Sequence, residues 1–346
     1  MPGPACNIAI VGATGAVGEV LLSILAESRF PVGDIVALAS ARSAGLPVSF
    51  GERELRVRDL SSFDFAGTDI AFFSAGAAAS REHVPRAIAA GALVIDNTSA
   101  FRQQPDVPLV VAEVNPSEIP RGIARGLIAN PNCSTMQMLV ALAPIHRAAG
   151  IERINVATYQ SVSGAGRSGV EELGRQTAAL LNFQDPLPQR FAAQIAFNLI
   201  PQIDEFEDNG YTREEMKLVN ETRKILGDPS IGVNATAVRV PVFHGHCEAV
   251  HVETREKLDL GSARALLQQA AGVVLVDERV PGGWPTPVTH AAGTDAVYVG
   301  RLREDISHPR GLSLWVVSDN LRKGAALNAV QVARLAFPQL AGKAEC

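Results

Sequence analysis

Ile8-Ala9-Ile10-Val11-Gly12-Ala13-Thr14-Gly15-Ala16-Val17-Gly18 is an apolar run that breaks into three glycines spaced G-x-x-G-x-x-G. The apolar residues read as a buried strand over 7–11, and the residues from 15 to 26 carry helical periodicity. Residues without side chains at a strand-to-helix turn let backbone amides approach a pyrophosphate, and the helix adds its positive N-terminal end. The spacing is a relaxed form of the dinucleotide fingerprint, so Gly12, Thr14, Gly15, Ala16, Val17 and Gly18 are read as cofactor-binding. Such a glycine pattern is weak alone; its place on the first strand of an alternating β/α region gives it weight.

Outward from this turn, strands are expected at 34–40, 69–74, 92–96 and 126–130, with a helix at 83–90. Strands alternating with helices imply a parallel sheet with right-handed crossovers, hence an α/β, doubly wound Rossmann-type domain. A helix from about 135 to 148 carries Met138, Leu139, Leu142 and Ile145 at helical spacing. Beyond Gly150 the pattern changes to β-rich runs at 154–162, 233–240, 248–253, 296–302 and 312–318, with helices near 169–181 and 212–225. We therefore expect a nucleotide domain over 1–132, to which a C-terminal helix within 325–346 returns, and an α+β catalytic and dimerisation domain with a mixed sheet over 133–324. The stretch 281–287 reads as a surface loop.

The second strand ends in Ser40-Ala41-Arg42-Ser43, where an NAD site normally offers an acid to the ribose 2′-hydroxyl. No acid is present; Ser40, Arg42 and Ser43 offer donors suited to a 2′-phosphate, which points to NADP. Ser74 and Gly76, at the end of the third strand, are counted with the cofactor residues.

Composition narrows the partners. The 346 residues are 47% hydrophobic and 19% charged, with a net charge of −5 and no long run of one sign, so no basic footprint for nucleic acid or an anionic membrane is present. No apolar stretch approaches the roughly 20 residues that span a bilayer, and the N-terminus lacks a signal-peptide pattern. A soluble, cytoplasmic protein acting on small molecules is expected. Cys6, Cys133, Cys247 and Cys346 are scattered without paired spacing, which indicates neither a disulfide framework nor a metal site.

One cysteine stands apart. Asn130-Pro131-Asn132-Cys133-Ser134-Thr135 puts a thiol at the opening of a helix, where the dipole and free amides stabilise the attacking thiolate. Polar neighbours on both sides argue against a core position. A base is sought in Arg239-Val240-Pro241-Val242-Phe243-His244-Gly245-His246; local pattern does not choose between His244 and His246, and a His-x-His metal pair lacks further ligands.

Taken together, Gly12–Gly18, Asp96–Arg102, Asn130–Thr135, Gln160–Gly166, Glu214–Lys217, Arg239–His246 and Asp319–Asn328 resemble the aspartate-semialdehyde dehydrogenase family in order and across nearly the whole chain. The resemblance implies reversible, phosphate-dependent oxidation of aspartate 4-semialdehyde to 4-phospho-aspartate, a reaction from which lysine, methionine, threonine and diaminopimelate synthesis branch. It makes Cys133 the nucleophile, His246 the acid/base group and Gln160 the residue that orients the acyl group. It assigns Arg239 to the substrate carboxylate, Glu214 to its amino group, and Arg102, Asn132 and Lys217 to phosphate. Ser163, Gly164 and Gly166 are implied to pack against the nicotinamide, with Asn328 and Gln331 closing over the cofactor. A homodimer is implied as well.

Glu214 and Lys217, three apart on an expected helix, read locally as a surface ion pair. Cys247 follows His246 where the family often has a small hydroxyl residue, and is read as a packing residue. The nearest rival is an N-acetyl-gamma-glutamyl-phosphate reductase, whose substrate has a blocked amino group and would leave Glu214 without an ammonium partner. A catalytically silent relative would have lost its nucleophile or base, and both are present.

Overall fold

A computed structural model describes residues 5–344, and the chain divides into two compact units, Met1–Asn132 with Ala325–Cys346, and Cys133–Gly324. The first unit holds β1 (Cys6–Val11), β2 (Val32–Ala39), the hairpin β3 (Pro47–Phe50) and β4 (Arg53–Arg56), then β5 (Arg58–Asp59), β6 (Ile70–Phe73), β7 (Leu93–Asp96) and β8 (Leu127–Ala129). Its helices are α1 (Ala16–Glu27), α2 (Ala77–Ala89), α3 (Ile119–Arg125) and the C-terminal helix Leu327–Ala344, which is α8 in chain order. All strands but the hairpin form one sheet in the order β5-β2-β1-β6-β7-β8, and every pair in it is parallel. β6 and β7 are buried throughout, which explains the apolar runs Ile70–Phe73 and Leu93–Ile95. Leu21, Leu22 and Leu25 of α1 share one core with Ile8 and Ile10 of β1 and with Ala329, Val330, Val332 and Ala333 of α8.

The helix expected at 83–90 begins at Ala77 instead, with Gly76 before it at a φ of 92°. Ala77-Ala78-Ala79 forms helix well but shows no apolar period, while Pro85, which reads as an early helix position, lies inside the helix. The hairpin, α3 and the short β5 carry too few periodic residues to stand out in sequence.

The second unit contains α4 (Cys133–Ala149), β9 (Ile151–Gln160), α5 (Arg167–Leu181), α6 (Arg213–Leu226), β10 (Gly232–Arg239), β11 (His246–Thr254), α7 (Leu260–Gln269), β12 (Val273–Leu275), β13 (Val297–Glu304) and β14 (Gly311–Ser318). Its sheet runs β10-β9-β11-β14-β13-β12, with parallel pairs at both edges and antiparallel pairs between. One face, carrying Val156, Thr158 and Gln160 on β9 and Val250 and Val252 on β11, is buried. Helix α4 packs on β9, β11 and β14, and α6 packs on β10 and α4. The opposite face carries the cluster of Cys247, Val317, Tyr159, Trp315 and Tyr298, with the Tyr159 and Trp315 rings 5.5 Å apart.

The strand expected at 248–253 begins two residues earlier, at His246. Gly245, with φ of 88°, marks the turn, and pairing of His246 with Ser318 extends the ladder back to it. That long-range pairing leaves no local signal.

Candidate active site

In the first unit the chain leaves β1 for β2 on one side, while β6 lies on the other, so a cleft opens past the C-terminal ends of β1 and β6. Gly12 turns there with φ of 91°, and a Cβ on it would stand 2.8 Å from the Ser74 carbonyl carbon. Ser74 is fixed by hydrogen bonds from its backbone N–H and its hydroxyl to the Val11 carbonyl at 2.8 and 3.1 Å. Gly15 precedes the first turn of α1 with no side-chain cap, so the amide end of the helix faces outward from a cradle of bare backbone. These features fit a dinucleotide pyrophosphate. Ser40 and Arg42 lie exposed and Ser43 half-buried on the one-turn segment that follows β2.

In the second unit, strand register brings the chemistry together. Arg239 pairs with Gln160 across β10 and β9, and β11 runs antiparallel to β9 so that His246 follows the Cys247–Tyr159 pair. Arg239, Gln160, His246 and Ser318 thus form one buried row across four neighbouring strands. Helix α4, which begins at Cys133, packs over this face. His244, in contrast, is exposed in the preceding loop.

His246 is fully buried. Its Nδ1 accepts the Ser161 backbone N–H at 3.1 Å and lies 3.1 Å from the Ser161 hydroxyl, which leaves Nε2 as the proton-bearing nitrogen of the neutral ring. Burial, with the Arg239 charge second, pushes its pKa down to about 3. Gly164 lies directly against it: a Cβ there would stand 2.9 Å from Arg239 Nη1 and 3.2 Å from His246 Nε2.

Arg239 donates from Nη1 to the Ser161 carbonyl at 2.7 Å, and burial lowers its pKa against the opposing pull of Glu214 and Cys133. The guanidinium is therefore within electrostatic reach of the sulfur, and a cation there favours the thiolate. Gln160 Nε2 donates to Glu214 Oε1 at 3.1 Å and to Thr158 Oγ1 at 3.2 Å.

Glu214 also takes a 3.0 Å ion pair from Lys217, which contacts Asp204 at 2.9 Å. The local reading of a surface pair is corrected here: the Glu214 side chain is only 7% exposed and is joined to the row through Gln160. Burial lowers the Lys217 pKa, but the two carboxylates outweigh it and the net shift is upward.

Of the other residues singled out, Arg102 is buried and donates to the Asn97 carbonyl at 2.7 Å, and Asn132 is buried at the end of the first unit. Asn328 is fully buried, its amide bound to the Val110 carbonyl and to Asn130 Oδ1, and its oxygen accepts the Ala112 N–H. Gln331 donates to Glu113 at 3.0 Å. Both therefore brace the loop 110–113. Ser163 and Gly166 bound the turn that contains Gly164.

Sequence reasoning gave no role to Ser161 or Asn320. Asn320 Oδ1 accepts from the Gly245 N–H at 3.0 Å and from the hydroxyls of Ser161 and Ser163 at 3.1 and 3.2 Å, so one amide ties together the turns on either side of His246. Among the described residues, no group of three or more His, Cys, Asp or Glu is placed to hold a metal ion, and no helix is long and apolar enough to cross a membrane.

Comparison with known proteins agrees with this layout. The family described as "Semialdehyde dehydrogenase, NAD binding domain" matches residues 7–121, and "Semialdehyde dehydrogenase, dimerisation domain" matches residues 142–323. An aspartate-semialdehyde dehydrogenase of Legionella pneumophila is 57% identical over 329 residues, covering 95% of each chain. Aspartate-semialdehyde dehydrogenase 2 of Vibrio cholerae is likewise 57% identical, over 95% of this chain and 97% of its own. The crystal structure of aspartate semialdehyde dehydrogenase II from Vibrio cholerae superposes with a TM-score of 0.95 at 56% identity, over 97% of this chain and 99% of its own. The same enzyme has been solved complexed with ASA, with a TM-score of 0.95 at 55% identity, over 97% of this chain and 99% of that one. With a nicotinamide-dinucleotide unit and a cysteine-headed helix over a row of arginine, glutamine and histidine, the chain belongs to the aspartate-semialdehyde dehydrogenase family.

Proposed function

We propose that the chain catalyses the reversible, NADP- and phosphate-dependent oxidation of L-aspartate 4-semialdehyde to 4-phospho-L-aspartate through a thioester on Cys133, and that it works as a homodimer. The observation that carries the reading is the buried row of Arg239, Gln160 and His246 beneath the helix that opens at Cys133.

The Cys133 thiolate bonds to the aldehyde carbon, and the carbonyl electron pair moves to oxygen. The Nε2–H of His246 donates to that oxygen as its charge develops. The oxygen pair then re-forms the carbonyl as hydride leaves the same carbon, for which NADP, when bound, would supply the acceptor. Phosphate oxygen then replaces sulfur on the thioester carbon, and the thiolate departs. Arg239 grips the α-carboxylate with its remaining donors, Glu214 receives the ammonium, and Gln160, held by Glu214, orients the acyl oxygen. Arg102, Asn132 and Lys217 supply donors suited to the phosphate dianion.

Gly12, Thr14, Gly15, Ala16, Val17, Gly18, Ser74 and Gly76 would hold the pyrophosphate and its ribose, and Ser163, Gly164 and Gly166 the nicotinamide. Ser40, Arg42 and Ser43 would hold the 2′-phosphate, and Asn328 and Gln331 would support the cofactor through loop 110–113. The aromatic face of Tyr159, Tyr298 and Trp315 suits a contact between copies, in line with the dimerisation domain of the family. Cys6, Cys133 and Cys247, none of them in a disulfide among the described residues, fit a reducing, cytoplasmic setting.

The acyl-phosphate substrate separates this reading from the N-acetyl-gamma-glutamyl-phosphate reductases. Reduction of 4-phospho-aspartate and not of the N-acetylated homologue is expected, because a buried Glu214 carboxylate facing a blocked amine lacks its cation. Cys133→Ala should bind NADP with unchanged affinity and form no acyl-enzyme; near-normal turnover in that variant would falsify the mechanism.

A further inference from the structure

One buried acid takes no part in the chemistry above. Glu248 lies two residues beyond His246 on β11 and so points to the same face of the sheet, one layer deeper. Gln137 lies four residues beyond Cys133 on α4 and so shares its helix face, also one layer deeper. Both are 0% exposed. The Gln137 amide works on the Glu248 carboxyl as a donor, yet neither group completes a well-formed hydrogen bond, and all four of their polar atoms are sealed from solvent.

The nearest neighbours of Glu248 across the sheet carry no formal charge. Its strand partners are Thr158 on β9 and Val316 on β14, and its own face continues to neutral His246 and Val250; Gln160 on β9 and Ser318 on β14 lie in the row beyond. On α4 the facing side chains are Gln137 and, a turn earlier, Cys133. Burial raises its pKa well above the usual carboxylate range. A protonated carboxyl offers one donor and one acceptor, which complement the amide of Gln137 in a closed pair; an ionised carboxylate would set like partial charges against Gln137 Oε1.

We propose that Glu248, through Gln137, is a positioning residue that holds the first turn of α4 against β11 and so sets the Cys133 sulfur relative to the His246 ring. The pair repeats, one layer down, the pairing of nucleophile and acid that the reaction needs. This inference rests on the reading of Cys133 as nucleophile and of His246 as its proton-bearing partner.

Three variants of the full-length enzyme test it. Glu248→Gln keeps the complementary donor and acceptor without an ionisable proton, and should retain kcat within about threefold and the parent rate of Cys133 alkylation by iodoacetamide. Glu248→Met leaves the Gln137 amide facing an apolar group; kcat should fall at least about tenfold with KM for NADPH unchanged, and Cys133 alkylation should change by a similar factor. Should that variant fail to fold, Glu248→Met/Gln137→Met removes both partners, which restores a matched core while keeping the loss of kcat.

Parent-like kcat and alkylation in the folded methionine variants would overturn the proposal, as would a Glu248→Gln loss as large as that of Glu248→Met. The Cys133→Ala control keeps the two levels apart. If it is inactive while the methionine variants behave as the parent, only the positioning role fails; if it turns over, the thioester reading itself fails.

Discussion

Arg42 is exposed on the turn after β2, beside Ser40 and Ser43. If this turn reads the 2′-phosphate, the guanidinium acts only on the cofactor that carries one. Arg42→Ala should therefore lower the ratio of kcat/KM for NADPH over NADH by about tenfold, which corresponds to roughly 1.4 kcal/mol, close to the lower end of what one charged hydrogen bond contributes. Steady-state rates with both cofactors measure this; an unchanged ratio would move phosphate recognition elsewhere. Residue-level legibility was uneven. Cys133 could be singled out within a six-residue segment because a helix start and a polar setting are local properties. Choosing between His244 and His246 required either resemblance or structure, since both flank Gly245 and only the ladder to Ser318, over seventy positions away, places one in the row and leaves the other at the surface.

At the scale of elements, α6 shows how a helix start is made to serve a site. Thr212 accepts from the Glu215 N–H, Glu215 returns a bond to the Thr212 N–H, and the second Glu215 oxygen accepts the Ala237 N–H of β10 at 2.9 Å. The capping box and the strand are thereby locked together next to Glu214. Glu215→Ala should destabilise the protein by about 2–3 kcal/mol, combining a lost cap with a stranded buried N–H. It should also raise KM for the aldehyde by shifting Glu214. Urea denaturation and substrate kinetics read the two effects, and a variant with parent stability would refute the coupling. Helix α6 was visible in sequence through its length and period. Helix α7 and the β3–β4 hairpin were not: the first is short and half-exposed, and the second presents alternation over only four residues a strand.

For the whole molecule, two buried groups pull stability in opposite directions with pH. His246 is neutral when folded down to about pH 3 but takes up a proton near pH 6.5 when unfolded, so its contribution is lost as pH falls through that window. Burial pushes the Glu248 pKa up when folded, whereas the unfolded carboxyl ionises near pH 4.5, so its contribution is lost as pH rises above that value. Between about pH 4.5 and 6.5 the two contributions slope in opposite directions. Glu248→Gln removes one of them, so its Tm relative to the parent should climb from pH 5 to pH 8. A difference that stays flat across that range would show that Glu248 ionises normally. Composition told nothing of this balance, because burial of a glutamate is decided by which strand face it occupies.

The row of Arg239, Gln160 and His246 draws each member from a different strand, and those strands neighbour one another only after distant parts of the chain have met. Pairings of that kind are slow to form and arise late in assembly. The row is therefore a property of the assembled sheet, and its members meet only once β9, β10 and β11 have paired.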